Sequence, residues 1–249
     1  MPRHHLNLTG ASTIKTPQYA LTARLVPNVI EHAAIGAVYG EAGNGKTFSV
    51  ESALERVKTP TVEIASLRRP TMKYLALSVL EGITNVSHRG ELMRLTEDLR
   101  AVLAEKRRLI VIDEAQNLST ECFEYMRHLH DDPRTDFALL FVGGNRCWEV
   151  IARHPMLRSR IWHKVEFKPL SVGEVRKIMP RYHAIYHEAD LELLLEIDEE
   201  FAHGNFRHWA AFTKTAALIC QERKQKTIDR RIVDIALALH RGEANADAA

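Results

Sequence analysis

The segment with the most specific chemistry is the glycine-rich stretch GEAGNGKT at residues 40–47. It fits the pattern G-x-x-x-x-G-K-[ST], in which glycines let backbone N–H groups turn toward a polyanion. The lysine of such a loop neutralises the β and γ phosphates, and the hydroxyl of the next residue can bind Mg²⁺. The stretch therefore predicts a nucleoside triphosphate site with Mg²⁺, formed by Gly40, Glu41, Ala42, Gly43, Asn44, Gly45, Lys46, Thr47 and Phe48.

A pair of carboxylates supports the same interpretation. The aliphatic run at residues 109–112 leads directly into Asp113 and Glu114. Parallel α/β sheets bind ligands at the carboxyl ends of their strands. We therefore expect Asp113 to hold Mg²⁺ together with Thr47, and Glu114 to polarise an attacking water as a general base. For Gln116 two interpretations stay open: a polar contact near the γ-phosphate, or an ordinary loop residue.

These motifs need a sheet to position them, and the hydrophobic pattern predicts one. Short apolar runs predict strands, and spacings of three and four residues predict helices between them. Strands that alternate with helices indicate a parallel sheet with right-handed crossovers, hence an α/β fold. The predicted strands are 35–39, 61–65, 109–112 and 137–142, and the predicted helices begin at Thr16–Pro17 and cover 48–57, 71–81, 91–106 and 119–130.

The pattern changes after about residue 171, where only helices are predicted. They cover 171–187, 190–202, 206–222 and 227–241. We therefore expect a flexible arm at 1–15, an α/β core at 16–170, a small all-α lid at 171–241 and a disordered tail at 242–249. His183 and His187, four residues apart on the first of these helices, could share a metal, but no third ligand is near and a surface position is favoured.

Composition places only loose limits on the compartment and the partners of the protein. The chain has 249 residues and a formal net charge of +2, which neither requires nor excludes nucleic acid. No apolar run approaches the roughly 20 residues of a membrane helix. The three cysteines have neither zinc-site nor disulfide spacing. We expect a cytoplasmic protein without membrane partners.

Taken together, the motifs resemble those of an AAA+ ATPase, in the order that this family uses. Asn145 follows the strand FALLFVGG, as a sensor-one residue does, and Arg158 and Arg160 lie in LRSRI, which resembles the arginine-finger box. Arg207 in GNFR matches a sensor-two residue. The resemblance implies ATP hydrolysis with Mg²⁺ and a finger, Arg160 or its neighbour Arg158, that acts on the next subunit.

A longer stretch narrows the resemblance. Residues 137–175 are similar to the AAA+ regulators of DNA transposition, the phage Mu B protein and the TnsC/TniB type. This implies a ring-forming or helical homo-oligomer that binds double-stranded DNA without sequence preference and regulates a transposase. Two alternatives stay open: an ExeA-like secretion or chaperone-type assembly ATPase, and a replication initiator or helicase loader.

The contact with DNA would have to come from the core. A basic loop follows the second strand and contains Arg68, Arg69, Thr71 and Lys73. Cations and a hydroxyl of this kind bind phosphates without reading bases. A solvated basic loop with no partner is the alternative interpretation.

Overall fold

The computed structural model describes residues 5–65 and 69–243. Contacts within the chain divide it into two units. The α/β unit comprises Pro17–Glu41 and Ser49–Phe167, and the helical unit comprises Met1–Thr16, Ala42–Phe48 and Lys168–Ala249. Arg68 and the last residues of the predicted tail, 244–249, lie outside the described residues, as do residues 1–4 of the predicted arm.

The α/β unit is built on a sheet of five parallel strands in the order β2-β3-β4-β1-β5. The strands are β1 (Ile35–Gly40), β2 (Thr61–Ala65), β3 (Arg108–Asp113), β4 (Phe137–Gly143) and β5 (Ile161–Phe167). The register pairs Tyr39 with Gly143 and Ala65 with Asp113. The carboxyl ends of β1, β2, β3 and β4 therefore share one edge of the sheet.

Helices cover both faces of this sheet. They are α1 (Pro17–Glu31), α2 (Lys46–Leu54), α3 (Met72–Thr84), α4 (Leu92–Glu105), α5 (Thr120–Asp131), α6 (Asn145–Arg153) and α7 (Pro155–Arg158). Alternate residues of β3 enter different cores: Ile110 and Ile112 pack with α3, α4 and α5, and Leu109 and Val111 pack with α1 and α2. Burial on both faces explains why these strands read as continuous aliphatic runs.

The sequence pattern did not predict β5. Its residues Trp162, His163 and Lys164 are exposed, because the strand lies at the edge of the sheet and only Val165 and Phe167 are buried. An edge strand with one covered face lacks the continuous apolar run that marked the inner strands. The sheet thus has one strand more than the pattern predicted.

The helical unit contains α8 (Val172–Ile178), α9 (Leu191–Ile197), α10 (Phe206–Glu222) and α11 (Arg230–Arg241). The single helix predicted at 171–187 is wrong. It ends at Ile178 and gives way to two short 3-10 turns, Met179–Arg181 and Ala184–Tyr186, because Pro180 lacks the N–H that would continue the helix. His183 is the N-cap of the second turn and contacts the Thr9 carbonyl at 3.1 Å, so it does not share a helix face with His187.

Part of the predicted flexible arm packs on the helical unit. Leu8 is buried in its core, and Ala11 and Ile14 pack against the same core. The Ser12 N–H donates to the Tyr182 carbonyl at 2.8 Å. The polar composition of this segment concealed its three spaced apolar residues.

Within the described residues no helix is both long and apolar enough to span a membrane. The same residues contain no group of three or more His, Cys, Asp or Glu side chains that could hold a metal ion.

Candidate functional site

The glycine-rich loop has the backbone that its sequence requires. β1 ends at Gly40, and a Cβ atom there would overlap the Phe167 carbonyl of β5. Gly43 and Gly45 have φ angles of 88° and 91°, which side-chain-bearing residues rarely adopt. α2 begins at Lys46, so the loop leads directly into a helix N-terminus, whose backbone dipole favours an anion. This strand–loop–helix order is that of a phosphate-binding loop.

The side chains that could contact a triphosphate follow in the first turn of α2. Lys46 and Phe48 are half-buried, and Thr47 is exposed. Asn44 is buried, and Glu41 is exposed. An exposed hydroxyl beside a lysine is the donor set that binds Mg²⁺ and phosphate in such loops.

The two carboxylates stand at the end of β3. Asp113 is the last residue of the strand, and its Oδ1 accepts a hydrogen bond from the Glu114 N–H at 2.7 Å. Glu114 has left-handed backbone angles, φ 52° and ψ 36°, and its side chain is exposed. A non-glycine residue in this conformation marks a sharp change of chain direction, and such residues concentrate at functional sites.

Several carboxylates, Asp113 among them, lie near Glu51 of α2. Burial, together with the carboxylates of Glu63, Asp113 and Glu55, raises the pKa of Glu51 on α2. Oxygen ligands in a negative environment suit a hard divalent cation such as Mg²⁺. The Asp113 carboxylate at the end of β3 is a ligand of the type that the metal implied by the loop motif takes.

Gln116 connects Glu114 to a neighbouring strand. Its Nε2 donates to the Glu114 carboxylate, and its Oε1 accepts the Gly144 N–H at 2.7 Å. Gly144 follows β4 and is the N-cap of α6. The contact with the Glu114 carboxylate is one that neither interpretation of Gln116 had named, and a contact with the γ-phosphate stays a prediction.

Asn145 is exposed and is the first residue of α6, not the last residue of the strand.

An aromatic contact that the sequence did not predict holds α6 on the sheet. The Trp148 ring stacks on Tyr39 at 5.4 Å between centroids, and Lys164 Nζ lies 3.8 Å from the Trp148 centroid. Burial, and secondarily the charge of Glu166, raises the pKa of Tyr39. The one feature of the sequence that could have indicated this contact is the presence of a tryptophan at position 148.

The two candidate finger arginines differ in their partners. Arg160 forms an ion pair with Asp131 at the end of α5, with Nε 3.0 Å from Oδ1. The other Asp131 oxygen lies 2.8 Å from Nη1 of Arg127. Arg158 ends α7 and is exposed. Both candidate arginines are on the surface of the α/β unit, and Arg160 is held by a carboxylate of its own chain.

The start of α10 contacts the glycine-rich loop within the helical unit. Asn205 Nδ2 donates to the Ala42 carbonyl at 2.8 Å, and the Arg207 N–H donates to the Gly43 carbonyl at 3.1 Å. A Cβ atom on Gly43 would overlap the Asn205 side chain. The Arg207 side chain is exposed. The structure thus brings the predicted sensor-two segment to the loop, and it identifies Asn205 as a contact that the sequence analysis did not assign.

The predicted DNA loop is described only in part. Arg69 and Lys73 are exposed, and Arg69 has a φ of 52°. The Thr71 hydroxyl accepts the Tyr74 N–H at 3.1 Å and caps α3, which gives this residue a structural role. The loop begins where β2 ends, at the sheet edge that carries Asp113.

Comparisons with known proteins agree with this fold. Residues 29–151 match the family model described as AAA domain. A Staphylococcus aureus protein named "Potential ATP-binding protein" is 24% identical over 233 residues, covering 78% of this chain and 83% of the relative. Residues 29–151 are therefore similar to an AAA domain, and the chain has the AAA+ P-loop fold with additional C-terminal helices, a fold that implies nucleotide binding.

Two solved structures of low sequence identity share the fold. The Aeropyrum pernix ORC2 protein in ADPNP–ADP complexes has a TM-score of 0.66 and 15% identity over 94% of this chain and 71% of its own. The Aeropyrum pernix ORC1 protein in complex with DNA has a TM-score of 0.62 and 16% identity over 94% of this chain and 67% of its own. At this identity the likeness extends to the fold alone.

Proposed function

We propose that the chain binds ATP with Mg²⁺ at residues 40–47 and hydrolyses it with Glu114 as the general base. The observation that carries the proposal is the loop backbone, in which Gly43 and Gly45 adopt φ angles of 88° and 91° immediately before α2 begins at Lys46. A polyanion is the ligand that such a run of backbone N–H groups and a helix N-terminus stabilise.

The residues take complementary parts in this reaction. Lys46 neutralises the β and γ phosphates, and Glu114 accepts a proton from the attacking water. Thr47 and Asp113 would hold Mg²⁺, which supplies positive charge to the phosphates when bound. Asn145 orients the water, and Arg207 contacts the γ-phosphate from α10. Arg160, or Arg158 beside it, stabilises charge on the phosphoryl group bound by a neighbouring subunit, since both arginines lie on the surface.

Removal of the loop lysine tests nucleotide binding separately from hydrolysis. Lys46→Ala is expected to weaken binding of a fluorescent ATP analogue at least tenfold, because the phosphates lose their main positive partner. Lys58→Ala, on an exposed lysine after α2, is the matched control and should bind as the wild type does. Unchanged affinity in Lys46→Ala would exclude residues 40–47 as the phosphate site.

The assembly is the second part of the proposal. Because a finger arginine acts on a neighbour's nucleotide, the chain works as a homo-oligomer, and ATP serves as a switch for its assembly on duplex DNA. Support comes from the exposed cations Arg69 and Lys73, from Arg68 in the same loop, and from the A. pernix ORC1 protein of like fold that was solved with DNA. The resemblance of residues 137–175 to transposition regulators makes a transposase the proposed partner.

Electron microscopy on random linear duplex DNA, with and without ATP, tests this part. ATP-dependent rings or filaments on the DNA are expected. Three phosphate contacts per subunit should make log affinity fall with log salt by a slope of about −2.7. The triple variant Arg68→Ala/Arg69→Ala/Lys73→Ala should lose most of this slope, whereas Lys226→Ala, in the helical unit, should keep it. Absence of DNA binding at low salt would contradict the proposal.

A replication initiator or helicase loader is the second candidate. The observation in its favour is the likeness of fold to two ORC proteins over 94% of this chain. Both candidates predict binding to DNA, so the partner separates them. Stimulation of strand transfer by a transposase supports the first, and delivery of a replicative helicase to DNA without effect on strand transfer supports the second.

A further inference from the structure

We infer that Gln116 is a positioning residue that holds the Glu114 carboxylate and connects it to the start of α6. The inference rests on the proposed hydrolysis of ATP through Glu114. Its basis is the pair of hydrogen bonds that one amide group makes, to the Glu114 carboxylate and to the Gly144 N–H.

The partners fix the orientation of this amide. The Gly144 backbone N–H can only donate, so the group that faces it at 2.7 Å is the carbonyl oxygen of Gln116. The Gln116 NH₂ group must then face Glu114, whose carboxylate can only accept. Each end of the amide meets the partner that it requires, and glutamate or leucine at this position could not satisfy both.

A hydrogen-bond partner matters for Glu114 because an exposed side chain can adopt several rotamers. Its side chain is exposed and follows Asp113, whose carboxylate accepts the Glu114 backbone N–H. A general base must stay within hydrogen-bond reach of its water. A donor on Oε2 restricts the rotamers of Glu114 and leaves Oε1 available to accept the proton.

The packing around Gly143 supports a defined place for Gln116. Gly143 does not have a positive φ, so its backbone does not require glycine. A Cβ atom there would overlap Gln116 Oε1 and would lie 3.0 Å from the Cys147 Cβ. Glycine at the end of β4 therefore makes room for the Gln116 amide.

The second hydrogen bond gives the amide a wider effect. Gly144 is the N-cap of α6, and the next residue is Asn145. A shift of α6 would move the Gly144 N–H and, through Gln116, the Glu114 carboxylate. Gln116 therefore couples the position of the proposed base to that of the proposed sensor residue.

Three variants test this role by steady-state ATP hydrolysis with Mg²⁺ and duplex DNA. Gln116→Leu removes both contacts. Gln116→Glu keeps an acceptor for Gly144 but presents a carboxylate to Glu114. Both should lower kcat at least tenfold while the Kd of a fluorescent ATP analogue stays within twofold. Because Gln116 acts through Glu114, Gln116→Leu should lower kcat no further in a Glu114→Gln background.

A glycine pair provides a matched test that leaves Gln116 intact. Gly143→Ala should displace the amide and lower kcat, whereas Gly173→Ala, where a Cβ atom would meet no atom within 4 Å, should not. In a Gln116→Ala background the effect of Gly143→Ala should become smaller, because the overlap with Gln116 Oε1 is removed and only the contacts with Cys147 Cβ at 3.0 Å and the Ala115 backbone N at 3.2 Å remain.

Wild-type kcat in Gln116→Leu, or additive losses in the Glu114→Gln double variant, would overturn the inference while the proposed ATPase stands. If the wild-type protein hydrolyses no ATP, the proposed function fails instead. The NMR resonance of the Gln116 side-chain NH₂ group then tests whether Gln116 contacts Glu114. It should shift in Glu114→Ala and not in the control Glu121→Ala. An unshifted resonance in Glu114→Ala overturns the inference.

Discussion

The side-chain amide of Asn205 donates a hydrogen bond to the backbone carbonyl of Ala42, 2.8 Å away. The oxygen of the same amide accepts the N–H groups of Arg207 and His208, so Asn205 is also the N-cap of α10. One side chain thus begins a 17-residue helix and contacts the loop proposed to bind phosphate. Rearrangement of the loop on nucleotide binding should reach α10 through this residue.

Asparagine-to-aspartate substitution separates the two roles of Asn205. An aspartate side chain would keep the cap acceptor but could not donate to the Ala42 carbonyl, so Asn205→Asp should bind ATP at least fivefold more weakly with little loss of stability. Asn205→Ala loses both contacts and should also lose about 1 kcal/mol of unfolding free energy. Titration with a fluorescent ATP analogue and urea denaturation measure the two effects. Wild-type ATP affinity in Asn205→Asp would show that the hydrogen bond from Asn205 to the loop does not contribute to ATP binding.

Asp198 should contribute strongly to the stability of the helical unit. It is buried, and its Oδ1 accepts the Gly204 N–H at 2.7 Å and the Trp209 Nε1–H at 3.0 Å. Asp198→Ala would leave two buried donors without a partner, which should lower the unfolding free energy by about 2–4 kcal/mol. Asp198→Asn keeps an acceptor and should lose less. Urea denaturation measures both, and a loss below about 0.5 kcal/mol in Asp198→Ala would contradict this account.

The sequence predicted β1, β2, β3 and β4 to within one residue at each end, and for the three inner strands the reason is physical. β1, β3 and β4 lie inside the sheet, and burial produces apolar runs such as LIVI at residues 109–112, whereas β2 lies at the edge opposite β5 and buries only Val62 and Ile64. The same argument fails for β5, where Trp162, His163 and Lys164 face solvent. In the helical unit, spacing predicted one long helix where Pro180 forces two turns.

The candidate site also has a part that the sequence predicted and a part that it did not. The loop at residues 40–47 and the pair Asp113–Glu114 are local in sequence, so their pattern was sufficient to predict them. Gln116 and Gly144 are 28 residues apart, and Asn205 and Ala42 are 163 residues apart. Contacts at such separations depend on the fold, and no spacing in a single sequence reveals them.

Arg160 should act on the site of a neighbouring subunit. Arg160→Ala is expected to lower kcat at least a hundredfold with little change in ATP affinity. The reason is that the positive charge of the arginine stabilises the negative charge on the phosphoryl group during its transfer. A mixture of Arg160→Ala with Lys46→Ala subunits should recover activity, since some sites then combine an intact loop with an intact arginine. Phosphate release from the mixture measures this. Activity equal to the sum of the two variants alone would assign Arg160 a structural role.

The ion pair with Asp131 supplies the control for this experiment. To reach a neighbour, Arg160 must leave Asp131, so Asp131→Asn should leave kcat in the assembly unchanged or raise it. The pair is half-exposed and should contribute at most about 1 kcal/mol to stability. A fall in kcat as large as that in Arg160→Ala would show that the arginine works while bound to Asp131.

Acid should destabilise the protein through half-buried histidines. His130 contacts the Ala33 carbonyl at 2.8 Å and packs against Phe137, and burial lowers its pKa; burial also lowers the pKa of His183 and His240. The folded state therefore binds fewer protons than the unfolded chain, whose histidine pKa is about 6.5. Stability should be complete above that pH and fall as the pH drops through it.

Urea denaturation at pH 7.5 and pH 5.5 measures this dependence. The midpoint should be lower at pH 5.5, and His130→Gln should reduce the difference between the two values. His163→Gln, at an exposed position of β5, should keep it. An equal midpoint at both pH values in the wild-type protein would contradict the assignment.

The proposal that Glu114 drives ATP hydrolysis has one direct test. Phosphate release from ATP, with Mg²⁺ and duplex DNA, should be measured for the wild type and for Glu114→Gln beside binding of a fluorescent ATP analogue. We expect hydrolysis by the wild type, a loss of at least a hundredfold in Glu114→Gln, and unchanged ATP affinity. Wild-type turnover in Glu114→Gln would contradict it.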